Sequence, residues 1–279
     1  MVKQTKKNKT KTNLEICAPG IKQSFTCFSK KDLITIINSW NNNNSNDKII
    51  YNKNNSKLSL WNKIDKKLNN ICNDEYCWVK TTKVMSKSFK PKKPVSWIDN
   101  PKTWLNTTDI NNVLSQYENK YLDFKYMGTH PIDFDYKFLS GNCVVNDICN
   151  IDVNKYLNSG IKNLGFVFNL DKHYQSGSHW VAMFCDLKNG KIYYYDSVGV
   201  KPPNEIINLT NRINKQLNLL KIKCKFYYNK KQHQYYDSEC GIFSIYFILS
   251  MLKGTKFNYI VNNGKNDLFM FNKRSELFI

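Results

Sequence analysis

Near the start of the chain, apolar residues recur at helical spacing in two places. Leu33, Ile34, Ile36, Ile37 and Trp40 do so within 31–40, and Leu60, Trp61, Ile64, Leu68 and Ile71 within 58–71. They predict a small helical appendage. The stretch 87–94 ends in Lys-Pro-Lys-Lys-Pro and reads as a linker, because proline cannot continue a helix. After Trp104 the pattern changes. Asn106 opens a helix reaching about Tyr117, with Ile110, Val113 and Leu114 on one face, and β-rich runs follow at 165–170, 179–185, 192–196 and 222–228. Between the second and third runs, Lys188-Asn189-Gly190-Lys191 contains the Asn-Gly pair of tight hairpins and predicts antiparallel neighbours. Behind Pro202-Pro203 a helix carries Ile206, Leu209, Ile213, Leu217 and Leu220 on one stripe. A nearly all-apolar helix then begins near Cys240 and runs to Leu252. The segments 1–13 and 41–55 are polar, of low complexity, and predicted to be mobile. The chain divides accordingly into a basic tail (1–13), a Lys/Asn-rich, partly helical accessory region (14–95) and a larger domain (96–279) with a core of its own.

An aromatic content of 14% over 279 residues excludes a disordered chain. The net charge of +20 is concentrated early: residues 1–100 carry 20 lysines against 7 acidic side chains, and the rest 22 basic against 15 acidic. Such a charge suits nucleic acid, an acidic partner or an anionic membrane surface. However, Arg212 and Arg274 stand beside 40 lysines, and lysine lacks the guanidinium fork that reads phosphate best. An AT-rich genome produces the same Lys/Asn bias without selection for binding. No apolar segment follows the basic start, so no secretory signal is expected. The longest apolar run, 241–252, is shorter than the roughly 20 residues of a membrane span. Nine cysteines form no repeating framework, which predicts free thiols in a reducing compartment. Cys17, Cys27, Cys72 and Cys77 are separated by 10, 45 and 5 residues, unlike the two closely spaced pairs of a zinc site. Neither a metal nor a cofactor is expected.

Thiolates are favoured at helix N-termini, where free N–H groups and the macrodipole stabilise negative charge. Cys240 is so placed: Asp237 and Ser238 can cap ahead of it, the apolar helix follows, and Gly241 leaves room for a substrate carbonyl to approach the backbone. A thiol nucleophile needs a base on a rigid element. Among the four histidines, His130 and His173 lie in loop-like sequence and His233 in a polar run, whereas His179 opens an apolar strand with Trp180 beside it as a wall against solvent. Asp196 ends the partner strand of the predicted hairpin, so His179 and Asp196 are expected to meet across it.

Ser178-His179-Trp180, Tyr195-Asp196-Ser197 and Gln234 six positions before Cys240-Gly241 together resemble the signature of the ubiquitin-like-protein-specific proteases. The viral relatives of that family include adenain and the core-protein proteases of poxviruses and African swine fever virus. The resemblance spans about 104–277. It implies an α+β, papain-like fold of the adenain type, with a small mixed sheet packed against helices and an N-terminal helical appendage. It also implies His179, Asp196 and Cys240 as the catalytic residues and Gln234 as an oxyanion donor. Trp104-Leu105-Asn106 is similar to the family's Trp-Leu-Asn-Asp segment, whose tryptophan covers the channel for the substrate's Gly-Gly; here Thr107 replaces the aspartate. Trp104, Trp180 and Gly241 are thus the expected substrate-binding residues.

The function expected is a cysteine endopeptidase that cleaves after Gly-Gly-type sites and matures viral core proteins or polyproteins during virion assembly. Its expected location is the virion or the host cytoplasm, with DNA or the viral core held through the basic N-terminal region. A deSUMOylase or deubiquitinase is the alternative within this chemistry. A non-catalytic basic nucleic-acid or core-binding protein is the alternative from another class.

Overall fold

Ser29 accepts a hydrogen bond from the Asp32 N–H, and the Asp32 carboxylate accepts from the Ser29 N–H, a reciprocal cap that opens helix α1 (Lys30–Asn43). This computed structural model describes residues 14–21, 25–84 and 87–279, and its backbone packing separates 1–90 from 91–279. The expected basic tail, 1–13, lies outside the described residues. In the first unit, α1 turns Leu33, Ile36, Ile37 and Trp40 inward, and α2 (Lys57–Leu68), capped by Ser56, turns in Leu60, Ile64 and Leu68. A third helix, α3 (Glu75–Thr82), has no counterpart in the sequence reading. Asp74 caps it, and Trp78 packs against Phe28 and Trp61.

The stretch 41–55, expected to be mobile, is pinned by its own polar groups. Trp40 Nε1 donates to Asp47 O, and the Asn41 amide both accepts from the Ile49 N–H and donates to its carbonyl, with Ile49 buried. The proline-rich stretch is likewise tied at each end. Phe89 is buried and bridges Cys17 in the first unit; in the second, the Ile279 N–H donates to Pro91 O and the Lys93 N–H to Ile279 O.

The second unit runs α4 (Ser96–Asp99), α5 (Thr107–Leu114), β1 (Phe124–Pro131), α6 (Asn146–Cys149), α7 (Val153–Asn158), β2 (Asn163–Asn169), β3 (Trp180–Asp186), β4 (Lys191–Tyr195), α8 (Asn204–Leu219), β5 (Lys225–Tyr228), α9 (Cys240–Leu252), α10 (Phe257–Asn262) and α11 (Asp267–Leu277). The strands form one mixed sheet in sequence order, antiparallel at β2/β3 and β3/β4, parallel at β1/β2 and β4/β5. Helices cover both faces, which explains the unbroken apolar run of β3. Trp180, Ala182 and Phe184 face α5 and α9, while Val181, Met183 and Cys185 face α8. The expected hairpin is present, with Asp186 paired to Lys191. Gly190 has φ +59° and lies so close to the Lys223 carbonyl that a Cβ there would stand 2.3 Å from its oxygen, so only glycine fits.

The reading of nine free thiols is corrected. Short loops bring Cys17 to Cys27, Cys72 to Cys77 and Cys143 to Cys149 with Cα separations of 5.2, 5.4 and 6.3 Å, and each pair is disulfide-bonded. Cys185, Cys224 and Cys240 remain free. Among the described residues, no helix is long and apolar enough to cross a membrane.

Candidate active site

Cys240 is the first residue of α9 and is 2% exposed. The first intrahelical bond runs from the Phe243 N–H to Glu239 O (2.9 Å), so the N–H groups of Cys240, Gly241 and Ile242 precede the helical ladder and face the thiol's end of the macrodipole. The other free thiols lack such a setting. Burial pushes both the Cys185 and the Cys224 thiol up, against ionisation.

His179 and Asp196 lie just outside the hairpin, one residue before β3 and one after β4. They meet: His179 Nε2 is 2.7 Å from Asp196 Oδ1, which also accepts from the Val198 N–H at 2.9 Å. Asp196 is 1% exposed. Cys240 is near enough for its sulfur to act on the imidazole. Because Nε2 is engaged by Asp196, Nδ1 is the nitrogen left for sulfur. Burial lowers the His179 pKa, but the hydrogen bond to Asp196, the nearby Cys240 sulfur and the charges of both outweigh it, and the value is pushed up to about 9. The three side chains therefore compose a site able to hold a thiolate–imidazolium pair. The raised value sets a sign: the stabilisation is complete below the ordinary histidine pKa near 6.5 and is lost as pH rises through about 9. Catalysis at this site and thermal stability are both expected to decline on the alkaline side near pH 9, measured as pH profiles of kcat/KM and melting temperature.

Two residues to which the sequence reading gave no role of their own hold Asp196 and Gln234. Asn229, buried, accepts from the Asp196 N–H (2.9 Å) and donates to the Asp196 carbonyl (2.7 Å). Ser197 donates to Gln234 Oε1 at 2.6 Å, and its carbonyl accepts from the N–H groups of His233 and Gln234. His233 is structural: its ring is bonded to the Tyr195 hydroxyl and the Val261 carbonyl, and burial lowers its pKa. A third device sits directly before Cys240. Glu239, 2% exposed, pairs with Arg274 Nε at 2.9 Å, and the same guanidinium donates to the carbonyls of Pro101, Thr103 and Ser238 while stacking on Trp97 at 4.5 Å. One side chain on α11 thus ties the start of α9 to the segment leading into Trp104. A lone arginine 34 positions beyond the cysteine carries no local signal of this.

A cleft of about 510 Å³ is lined by Trp104, Leu105, His130, His173, Gly177 and Trp180, among others. Trp104 is 42% exposed, on the rim rather than in the core. Trp180 is buried in the wall and donates its indole N–H to Leu105 O. Gly241 packs closely against this chain's own residues: a Cβ there would stand 3.1 Å from Leu105 Cβ and 3.4 Å from Trp180 Cδ1. A second His–Asp pair, His173 Nδ1 to Asp133 Oδ2 at 2.7 Å, lies in the cleft wall among aromatic rings. None of its described partners is a thiol, and pairing alone does not make a base.

Residues 164–277 match the Ulp1 protease family, C-terminal catalytic domain. The R355 protein of Acanthamoeba polyphaga mimivirus, which bears a thiol-protease name, is 32% identical over 280 residues, 90% of this chain and 88% of that protein. A protein of African swine fever virus named as a SUMO-1 cysteine protease is 26% identical over 189 residues, 62% of this chain and 67% of that protein. The crystal structure of the African swine fever virus protease matches the fold with a TM-score of 0.67 at 21% identity, over 96% of this chain and 97% of that one. Architecture and similarity together define a cysteine peptidase. The chain belongs to the Ulp1 protease family.

Proposed function

We propose that this peptidase is an endopeptidase that cuts viral core proteins or polyproteins after Gly-Gly-type sites during virion assembly, with Cys240 as nucleophile, His179 as base and Asp196 as its orienting carboxylate. The observation that carries the reading is the 2.7 Å contact between His179 Nε2 and Asp196 Oδ1, made beside a thiol that opens α9. His179 takes the Cys240 proton, and the sulfur attacks the scissile carbonyl carbon. The oxyanion accepts from Gln234 Nε2 and the Cys240 N–H. As the C–N bond breaks, the imidazolium protonates the leaving amine, and water, deprotonated by His179, then hydrolyses the thioester and restores the thiol. Trp104 on the rim and Trp180 in the wall both line the cleft, and bulky indoles at such positions support a preference for residues without side chains, as in Gly-Gly. The viral origin of the similar proteins supports a maturation role in virion or host cytoplasm, and the basic charge of residues 1–100 supports recruitment to DNA or core protein.

The name of the African swine fever virus relative motivates the second reading, deconjugation of a ubiquitin-like protein. Cleavage of Gly-Gly-X peptides, set against folded ubiquitin-like fusions, separates the two. The maturation reading expects turnover of the peptides, with alanine in place of either glycine lowering kcat/KM at least about tenfold; cleavage of the folded fusions alone overturns it.

A further inference from the structure

Ser197 stands where the Asp196 strand and the Gln234 loop meet. It follows Asp196 directly, is 1% exposed, and makes three bonds to the loop: its carbonyl accepts the N–H groups of His233 (2.8 Å) and Gln234 (3.0 Å), and its hydroxyl donates to Gln234 Oε1 (2.6 Å). A glutamine amide presents two faces of similar shape and opposite polarity, an acceptor oxygen and a donor NH2, exchanged by a half-turn of the last torsion. Which face points at a ligand is therefore decided by what the other end touches. Here a buried hydroxyl donates to the oxygen, while the nitrogen gives one hydrogen to the Tyr236 carbonyl and retains a second. The Tyr236 carbonyl only accepts, whereas a hydroxyl can donate or accept. With the amide reversed, Oε1 would face that carbonyl and the hydroxyl of Ser197, a buried residue just beyond β4, would lose the acceptor it donates to.

We propose that Ser197 is a positioning residue that sets the polarity of the Gln234 amide, keeping an N–H of Nε2 available to the developing oxyanion. With the amide reversed, a carbonyl oxygen faces the oxyanion and a stabilising dipole becomes a repulsive one. The inference rests on Gln234 acting as oxyanion donor, and the experiment separates the two claims. The variants S197A, S197C, S197T, Q234A and S197A/Q234A are compared in steady-state cleavage of a Gly-Gly-X peptide and in alkylation of Cys240 by iodoacetamide. Alkylation needs the thiolate but forms no oxyanion. S197A and S197C are expected to lower kcat about tenfold with KM and the alkylation rate unchanged, S197T to recover most of the loss, and Q234A to lose about 10²–10³ in kcat. In the Q234A background, adding S197A is expected to cost nothing more. Wild-type kcat in both S197A and S197C overturns the inference, as does a loss of equal size with and without Gln234, or a parallel fall in alkylation that marks general disruption. Wild-type kcat in Q234A removes the oxyanion assignment itself, and the role of Ser197 falls with it.

Discussion

Replacing Cys240 with alanine is expected to lower kcat by about 10⁴-fold or more without unfolding the protein, because the group that forms the acyl-enzyme is gone while the helix it opens is kept. Alanine fits where cysteine stood: the side chain is 2% exposed, and the change removes one sulfur from the edge of the α9 core. The controls are built into the chain. Cys185 lies fully buried against α8, and Cys224 is partly buried, with both thiols held against ionisation by burial. A C185A/C224A double variant is therefore expected to retain peptidase activity. Turnover by C240A at the wild-type rate contradicts the assignment, whereas absence of turnover in the wild-type protein itself leaves the basic, non-catalytic binding protein as the better reading.

The second large effect is on stability. Changing Arg274 to alanine strands the Glu239 carboxylate in a site that is 2% exposed, strips a donor from the Pro101, Thr103 and Ser238 carbonyls, and empties the stack on Trp97. Breaking a buried pair by removing one partner costs about 3–5 kcal/mol, since the remaining charge is desolvated without compensation. Urea unfolding is expected to show a loss of that size, with R274A/E239Q milder than R274A alone because no buried charge is left unpaired. A loss under 1 kcal/mol in R274A shows that the pair does not brace the start of α9.

The candidate site was legible where local chemistry and tertiary structure agree. Asn189-Gly190 predicts a tight hairpin, and the hairpin carries His179 and Asp196 to a 2.7 Å contact, although both stand just beyond its strands. The run from Cys240 to Leu252 is a helix because nothing in it breaks one, and its apolar character on all sides matches burial between β3 and α11. Strand β1 was not legible. It pairs in parallel with a strand more than thirty residues later, contains Gly128 at φ +100°, and has a register shift between Tyr126 and Thr129 that destroys the alternation a strand shows in sequence. The disulfides were missed for a different reason: cysteine spacing carries pairing information only through the loop geometry between the residues. The contacts of Asn229, Ser197 and Arg274 were not legible because each runs to a residue 33 to 37 positions away, and nothing in the identity of a single Asn, Ser or Arg distinguishes such a contact from an ordinary polar side chain. Gly241 was read as leaving room for a substrate carbonyl, and the close approach of Leu105 to it was not legible because Leu105 lies 136 positions earlier in the chain.

Cys240, proposed as the nucleophile of a Gly-Gly-directed peptidase, is tested most directly by covalent labelling with a peptide ending in Gly-Gly that carries a thiol-reactive warhead in place of the scissile carbonyl, followed by mass mapping of the modified residue. A single adduct on Cys240 is expected, formed fastest below about pH 9 and absent from C240A and H179A. Labelling of Cys185 or Cys224 instead, or an adduct on Cys240 that forms as fast without His179, contradicts it.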